Sequence, residues 1–341
     1  MVRVQQIWRN VLLTYFLSAL VLAVVLFQVS DPISFLKELH NFPISLLLII
    51  LGNVIIAWMI DFNRIRVLTI PLGGKIPRIS MFFTLLAGNF LTLATPFAIG
   101  GAPIIVYALY KFGMSFGQAS AVVIGAGLAA HFALLAILSV TIIVIAPFLA
   151  HLPQMVNGLY LFIILYTIAL IGFIILMYHS ERLEAWIEGW IAKRKNPKRN
   201  WFIRALIWLT DMLGELQRSF KLFFQMGRWY FLASCLIGIV YFLLFFSSGF
   251  ILLTEFGVLP EAPIFRYGLS VLLSAIPFFS PLPGGTGTAE LGAYLALDNY
   301  LPSNELGTFI ILWRTFTFYL PLIVGSIVFP FLFLYLKERK S

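Results

Sequence analysis

Apolar runs of about 20 residues recur along the whole sequence, separated by short polar joints. Their approximate extents are 10–28, 43–60, 80–97, 102–110, 118–148, 157–178, 229–253, 264–281, 287–297 and 306–336. Nowhere do apolar and polar residues alternate as in the strands of a membrane barrel. The pattern predicts an all-α, polytopic integral membrane protein that forms one transmembrane domain over residues 1–341. The first run lacks a small-residue cleavage site, so a retained span is expected there and not a signal peptide.

Two runs are interrupted in a way that hydrocarbon does not tolerate. ATPFAIGGAP, 94–103, and PLPGGTGTAE, 281–290, place prolines and paired glycines inside otherwise apolar sequence. Helix breakers free backbone groups that lipid cannot satisfy, and an ionised carboxylate such as Glu290 costs about 2.5–3.5 kcal/mol there. Such breaks survive where they line a cavity.

Composition agrees with a membrane protein, with 61% hydrophobic and 11% charged residues and a mean hydropathy of +0.98. The net charge of +9 is scattered between apolar runs, which argues against a nucleic-acid surface and for a topology signal. Twenty of the 23 Lys/Arg fall on one set of joints: Arg3 and Arg9, 64–78, Lys111, 179–228 and the C-terminal end. The opposite joints carry Lys37 and Arg266 among Asp31, Glu38, Glu255, Glu261, Asp298 and Glu305. The bias predicts a plasma (cytoplasmic) membrane protein with both termini cytoplasmic.

That orientation constrains the interrupted runs. Residues of about 80–117 must leave and return on the cytoplasmic side, and those of about 264–301 on the outer side. The expectation is about six full spans plus two oppositely directed re-entrant hairpins in a partial inverted repeat, with a site near the bilayer midplane. Two complete, short, tilted helices per hairpin would give the same topology. Residues of about 179–228 read as two amphipathic cytoplasmic helices at the interface, serving as an anchor or in regulation. The single cysteine, Cys235, excludes an intrachain disulfide.

Few groups are left that could carry chemistry. Glu290 follows Gly284, Gly285, Gly287 and Thr288, where a starting helix would present free N–H groups. It is either a partner for a cation or proton, or an acid that stabilises the helix dipole. Arg314, in FIILWRTFTFYLP, lies too deep to snorkel, so it must meet a cavity, a phosphate or a counter-ion. A structural ion pair with Glu290 is the alternative. The first break offers Asn89, Thr95, Gly100 and Gly101 as uncharged contacts, along with Thr92, Tyr107 and Tyr110; Pro96, Pro103, Pro281 and Pro283 are the breakers. His131 is either a proton relay or a packing residue, and Asp61, Arg64 and Arg66 read as loop charges at the cytoplasmic mouth. There is no P-loop, dinucleotide fingerprint, zinc-ligand spacing or arguable Ser–His–Asp set, so neither cofactor nor metal is expected.

These motifs resemble a known family. ATPFAIGGAPIIVYALYKFGMSFGQA, PLPGGTGTAE and WRTFTFYLP are similar, in order and spacing, to three signatures of the lysylphosphatidylglycerol synthase transmembrane-region family. That family includes the flippase half of the multiple peptide resistance factor. The resemblance implies roles for Thr95, Pro96, Gly100, Gly101, Pro283, Gly284, Gly285, Gly287, Glu290 and Arg314. The sequence has no aminoacyl-transferase stretch, so lysyl-lipid synthesis by this chain is not expected.

Three functions follow as expectations. The first is a flippase-like translocase, not an enzyme, moving an anionic phospholipid or lipid-linked headgroup between leaflets. The second is a scaffold for a partner synthase, with the basic joint 193–204 as contact. The third is an embedded enzyme on a lipid phosphate, which would need a second buried acid or a metal. Membrane lipids are the expected partners, with a synthase or a second copy of the chain as further candidates; nucleic acid is not.

Overall fold

The computed structural model describes residues 40, 42–95, 98–150, 153–178, 187, 189, 201–258 and 262–338. The expected first span, the break residue Pro96 and the first interfacial helix lie outside the described residues. Among the described residues all regular structure is helical, with no strand. Five helical stretches among these residues are long and apolar enough to cross a membrane: Ile44–Leu72, Phe116–Leu149, Pro153–Leu176, Gly227–Glu255 and Ser303–Glu338. The chain is a multi-pass membrane protein.

Among the described residues the α-helices are α1 (Ile44–Val67), α2 (Arg78–Leu93), α3 (Gly101–Lys111), α4 (Phe116–Ile145), α5 (Pro153–Tyr178), α6 (Trp201–Glu255), α7 (Pro263–Ala275), α8 (Thr288–Leu297), α9 (Ser303–Arg314) and α10 (Leu320–Glu338). Proline sets several of their starts. Pro43, Pro77 and Pro302 precede the first turns of α1, α2 and α9, while Pro153 and Pro263 open α5 and α7, where the missing N–H would have no helical partner anyway. α4 begins at a capping box: Gln118 N–H donates to Ser115 Oγ at 3.2 Å, and Ser115 N–H to Gln118 Oε1 at 3.0 Å. α6 kinks at Gly227, which separates the helix over 201–226 from its membrane-crossing part.

The interrupted runs form two pairs of short limbs, with 16 and 11 residues in α2 and α3, and 13 and 10 in α7 and α8. At about 1.5 Å per residue they reach roughly 24, 17, 20 and 15 Å, less than the roughly 30 Å of a hydrocarbon core.

Long helices hold these limbs. α4 and α1 pack along α6, while α10 lies against α2. α2 also touches the turn Pro283–Gly285, so the first limb of one pair meets the break of the other. The largest apolar core joins Ile50, Val54, Leu252, Phe265, Ala289 and Phe309 around α7–α9. Burial of apolar surface does not drive packing between helices in lipid, so small residues and polar cross-links matter more. Ala119, Ala126, Ala129 and Ala133 form the buried face of α4. Asn53 Nδ2 donates to Leu244 O at 2.7 Å, Ser270 Oγ to Phe246 O at 2.5 Å and Tyr267 O–H to Leu243 O at 2.8 Å. α5 stays largely exposed, as a lipid-facing helix would.

Candidate functional site

The second break is a short irregular strip whose freed backbone groups are met by hydroxyls. After α7 come a 3-10 turn, Ile276–Phe279, and a second, Pro283–Gly285, before α8 opens at Thr288. Leu282 N–H donates to Ser280 Oγ at 3.2 Å, Thr286 Oγ1 to Pro283 O at 2.9 Å and Thr288 Oγ1 to Gly285 O at 2.8 Å. Thr288 and Ser280 also pair through their hydroxyls at 2.9 Å. This is how an irregular backbone persists at membrane depth. Gly284 is obligatory here for two reasons. Its φ is +57°, and an added Cβ would lie 1.9 Å from the Phe318 ring.

The first break is tied by Thr95, whose Oγ1 donates to Leu91 O at 2.7 Å and accepts Gly100 N–H at 2.9 Å. Gly101 brings the two limbs together, since a Cβ there would lie 2.1 Å from Thr92 Oγ1. Ala98, at φ +56°, is the non-glycine residue in the left-handed region among those described, and it sits at this tip.

Glu290 and Arg314 are both 1% exposed, and Arg314 Nε lies 2.8 Å from Glu290 Oε1. The Nε–H lacks hydrogen-bond direction along that line, so charge holds the contact. Glu290 Oε2 accepts Gly287 N–H at 2.7 Å, which is half of a capping box and the only half a glycine N-cap allows. Arg314 Nη2 donates to Gly284 O at 3.0 Å, and the guanidinium carbon stands 4.3 Å from the Phe318 ring centroid. Directly after Arg314 the helix widens into a π-turn, Thr315–Tyr319, where Leu320 N–H bonds to Thr315 O. Pro321 follows. Its ring would clash with the carbonyl of residue 317 in a regular α-helix, and the wider turn relieves this.

These elements enclose a cavity of about 70 Å³. Thr92 and Ala98 reach it from the first break, Phe278 and Gly284 from the second, and Trp313, Arg314 and Thr317 from the last long helix, with Ser274 on α7. Trp313 Nε1 donates to Ser274 Oγ at 3.2 Å. Its wall is mostly apolar, with Leu93, Phe245, Phe278 and Leu282 beside these residues, and the polar groups it offers are hydroxyls, an indole and one guanidinium, backed by the Glu290 carboxylate. Among the described residues no three His, Cys, Asp or Glu gather as metal ligands.

The expected site residues divide accordingly. Arg314 and Gly284 line the cavity, and Glu290 and Gly287 stand behind them. Gly285 packs on Pro277, and Thr288 faces an apolar groove on the other side of the strip. Thr95, Gly100 and Gly101 fasten the first break without lining the cavity, and Pro103 lies in the first turn of α3. Asn89 is half-buried one turn too early on α2; Thr92 takes the place expected of it. Pro281 and Pro283 shape the strip. The N-terminus of α8 is less open to an anion than expected, because Glu290 itself occupies Gly287 N–H.

One expectation is overturned. Asp61 and Arg64 are not loop charges, because α1 runs on to Val67 and buries them to 3% and 9% exposure. Arg64 Nε meets Asp61 Oδ1 at 2.6 Å, its Nη1 donates to Ala126 O at 2.5 Å, and Ser234 Oγ donates to Arg64 O at 2.9 Å. Opposite charges three residues apart on a helix neutralise each other, which lets the helix continue. That spacing was the available signal in the sequence. His131 Nδ1 lies 2.7 Å from the Tyr166 hydroxyl, a contact between α4 and α5.

The family model for the lysylphosphatidylglycerol synthase TM region matches residues 11–325. No curated protein matches the chain.

Proposed function

This chain belongs to the lysylphosphatidylglycerol synthase TM-region family, and on that premise we propose that it is a lipid translocase. It moves a phospholipid headgroup between leaflets and makes or breaks no covalent bond. The observation that carries this reading is convergence. Two interrupted helix pairs and a fully buried Arg314–Glu290 pair meet at one small cavity, with Thr92, Ser274 and Thr317 beside the arginine in its wall. A buried ion pair is a poor way to gain stability, which leaves room for a functional reason to keep it.

In this reading the limb pairs are oppositely directed re-entrant hairpins, related as a partial inverted repeat, in a plasma-membrane protein whose termini face the cytoplasm. Short limbs and breaks that meet in the interior support it. At about 70 Å³ the cavity holds no more than a few waters, so this conformation is closed and a headgroup enters only when the strip 276–287 swings out. A phosphate then takes the Arg314 guanidinium from Glu290, and the carboxylate receives the cationic or hydroxylated part of the headgroup. The tails stay outside this cavity throughout.

The test is reconstitution into vesicles carrying headgroup-labelled phospholipids of several classes, with leaflet exposure read by an impermeant quencher. Wild type should speed exchange of at least one class, and Glu290→Gln should not. Exchange no faster than in protein-free vesicles for every class sinks the proposal.

A further inference from the structure

The strip that closes the cavity has a second face. Pro277, Phe278 and Gly284 look into the small cavity with Arg314, whereas Ile276, Phe279 and Ser280 look the other way. On that far side lies a groove of about 480 Å³ between α4, α5, α7 and α8, with Leu159, Leu272 and Ala296 among its walls. It is apolar apart from its end at the strip, where the Ser280 and Thr288 hydroxyls pair. One irregular segment thus divides a small cavity reached by a paired guanidinium from a groove nearly seven times larger whose lining has no charged side chain.

We infer that this groove holds one acyl chain of the phospholipid whose headgroup occupies the Arg314 cavity; the inference rests on the translocase reading above. Both compartments have largely apolar walls, but only the smaller one holds a guanidinium, and an amphiphile supplies an anionic end and an apolar chain in one molecule. Apolar surface alone does not retain a chain, because surrounding lipid is equally apolar. Tethering does. A headgroup fixed in the cavity raises the local concentration of its own chain at the groove. The strip 276–284 is then the gate between compartments. Its hydroxyls, which now satisfy the backbone and one another, stand where the ester region of that lipid must pass.

The probe is a phosphatidylglycerol with a photoactivatable acyl chain in phosphatidylethanolamine–phosphatidylglycerol vesicles, with labelled residues mapped by mass spectrometry. Labelling should concentrate on Leu159 and Leu272 relative to Ile164 and Ile168, which face outward on α5 at 55% and 60% exposure. Ala296→Trp, or Leu159→Trp if the first variant folds poorly, should cut groove labelling about tenfold, the change that corresponds to roughly 1.4 kcal/mol. Labelling of Ile164 and Ile168 should stay constant and so report an intact fold. Arg314→Ala should lower groove labelling to the outward level, because the tether is lost.

Groove labelling no higher than at Ile164 and Ile168 overturns the chain site, and if vesicle exchange still proceeds the translocase reading stands without it. Groove labelling that is high and unchanged in Arg314→Ala overturns the coupling of chain to cavity. High, Arg314-dependent labelling without lipid exchange supports the chain site and overturns translocation.

Discussion

Arg314 Nη2 donates to the carbonyl oxygen of Gly284 across 3.0 Å, so the last long helix grips the second pair of short limbs at its break. The grip needs a residue without a side chain at 284, because the Phe318 ring occupies the space beside it. It also needs the π-turn, which places Phe318 against the guanidinium one widened turn below Arg314. Breaker, arginine and π-turn form one unit.

The ion pair should behave as a lock whose halves are costly alone. Removing one partner of a buried pair costs about 3–5 kcal/mol, while removing both is often close to neutral. Glu290→Gln should therefore lower the thermal midpoint of detergent-solubilised protein clearly. Combining it with Arg314→Gln should restore most of that midpoint but no lipid exchange. If the double variant melts no higher than the single one, the charge imbalance is not what destabilises it.

Gly284→Ala should damage the gate without touching a charge. A left-handed φ costs a non-glycine residue about 1–3 kcal/mol, and the new methyl group would collide with Phe318. Lipid exchange should fall sharply. Phe318→Leu in the same chain should recover part of it by opening space, leaving only the backbone strain. Wild-type exchange in Gly284→Ala alone would show that the strip does not hold this geometry during transport.

Asp61 and Arg64 make a different expectation, because their contacts join α1, α4 and α6 away from the cavity. Asp61→Asn leaves Arg64 buried beside a neutral group and should destabilise the fold by a few kcal/mol. Exchange per folded molecule should stay near wild type. A stable Asp61→Asn protein that fails to exchange lipid would mark this pair as part of the transport path.

Topology can be checked with an impermeant thiol reagent on intact cells, using Cys235→Ser as background. Cysteines at Gly113 and Lys75 should share one face with Glu338, and one at Asn299 should label from the other. Labelling of Gly113 and Asn299 from the same face would rule out oppositely directed hairpins.

Much of this protein is legible in its sequence because lipid is a demanding solvent. A spanning segment must satisfy its own backbone, so length, apolarity and proline positions locate helices closely; α4 runs from Phe116 to Ile145 where 118–148 was expected. The same demand exposes the two breaks and the buried charges Glu290 and Arg314 as exceptions. It misleads at Asp61 and Arg64, because a charge is counted as a boundary unless its neighbour is known to cancel it.

The sequence by itself determined the helices, the breaks and the deep placement of Glu290 and Arg314, since each follows from local hydrogen bonding and transfer cost. Only the tertiary structure decided that Thr92 and not Asn89 faces the cavity, that Glu290 caps its own helix while pairing with Arg314, and that one strip separates the Arg314 cavity from a groove without a charged side chain. Those outcomes depend on helix rotation and on contacts between residues far apart in the chain. Inside lipid they are set by close packing of small residues, which local sequence pattern does not encode.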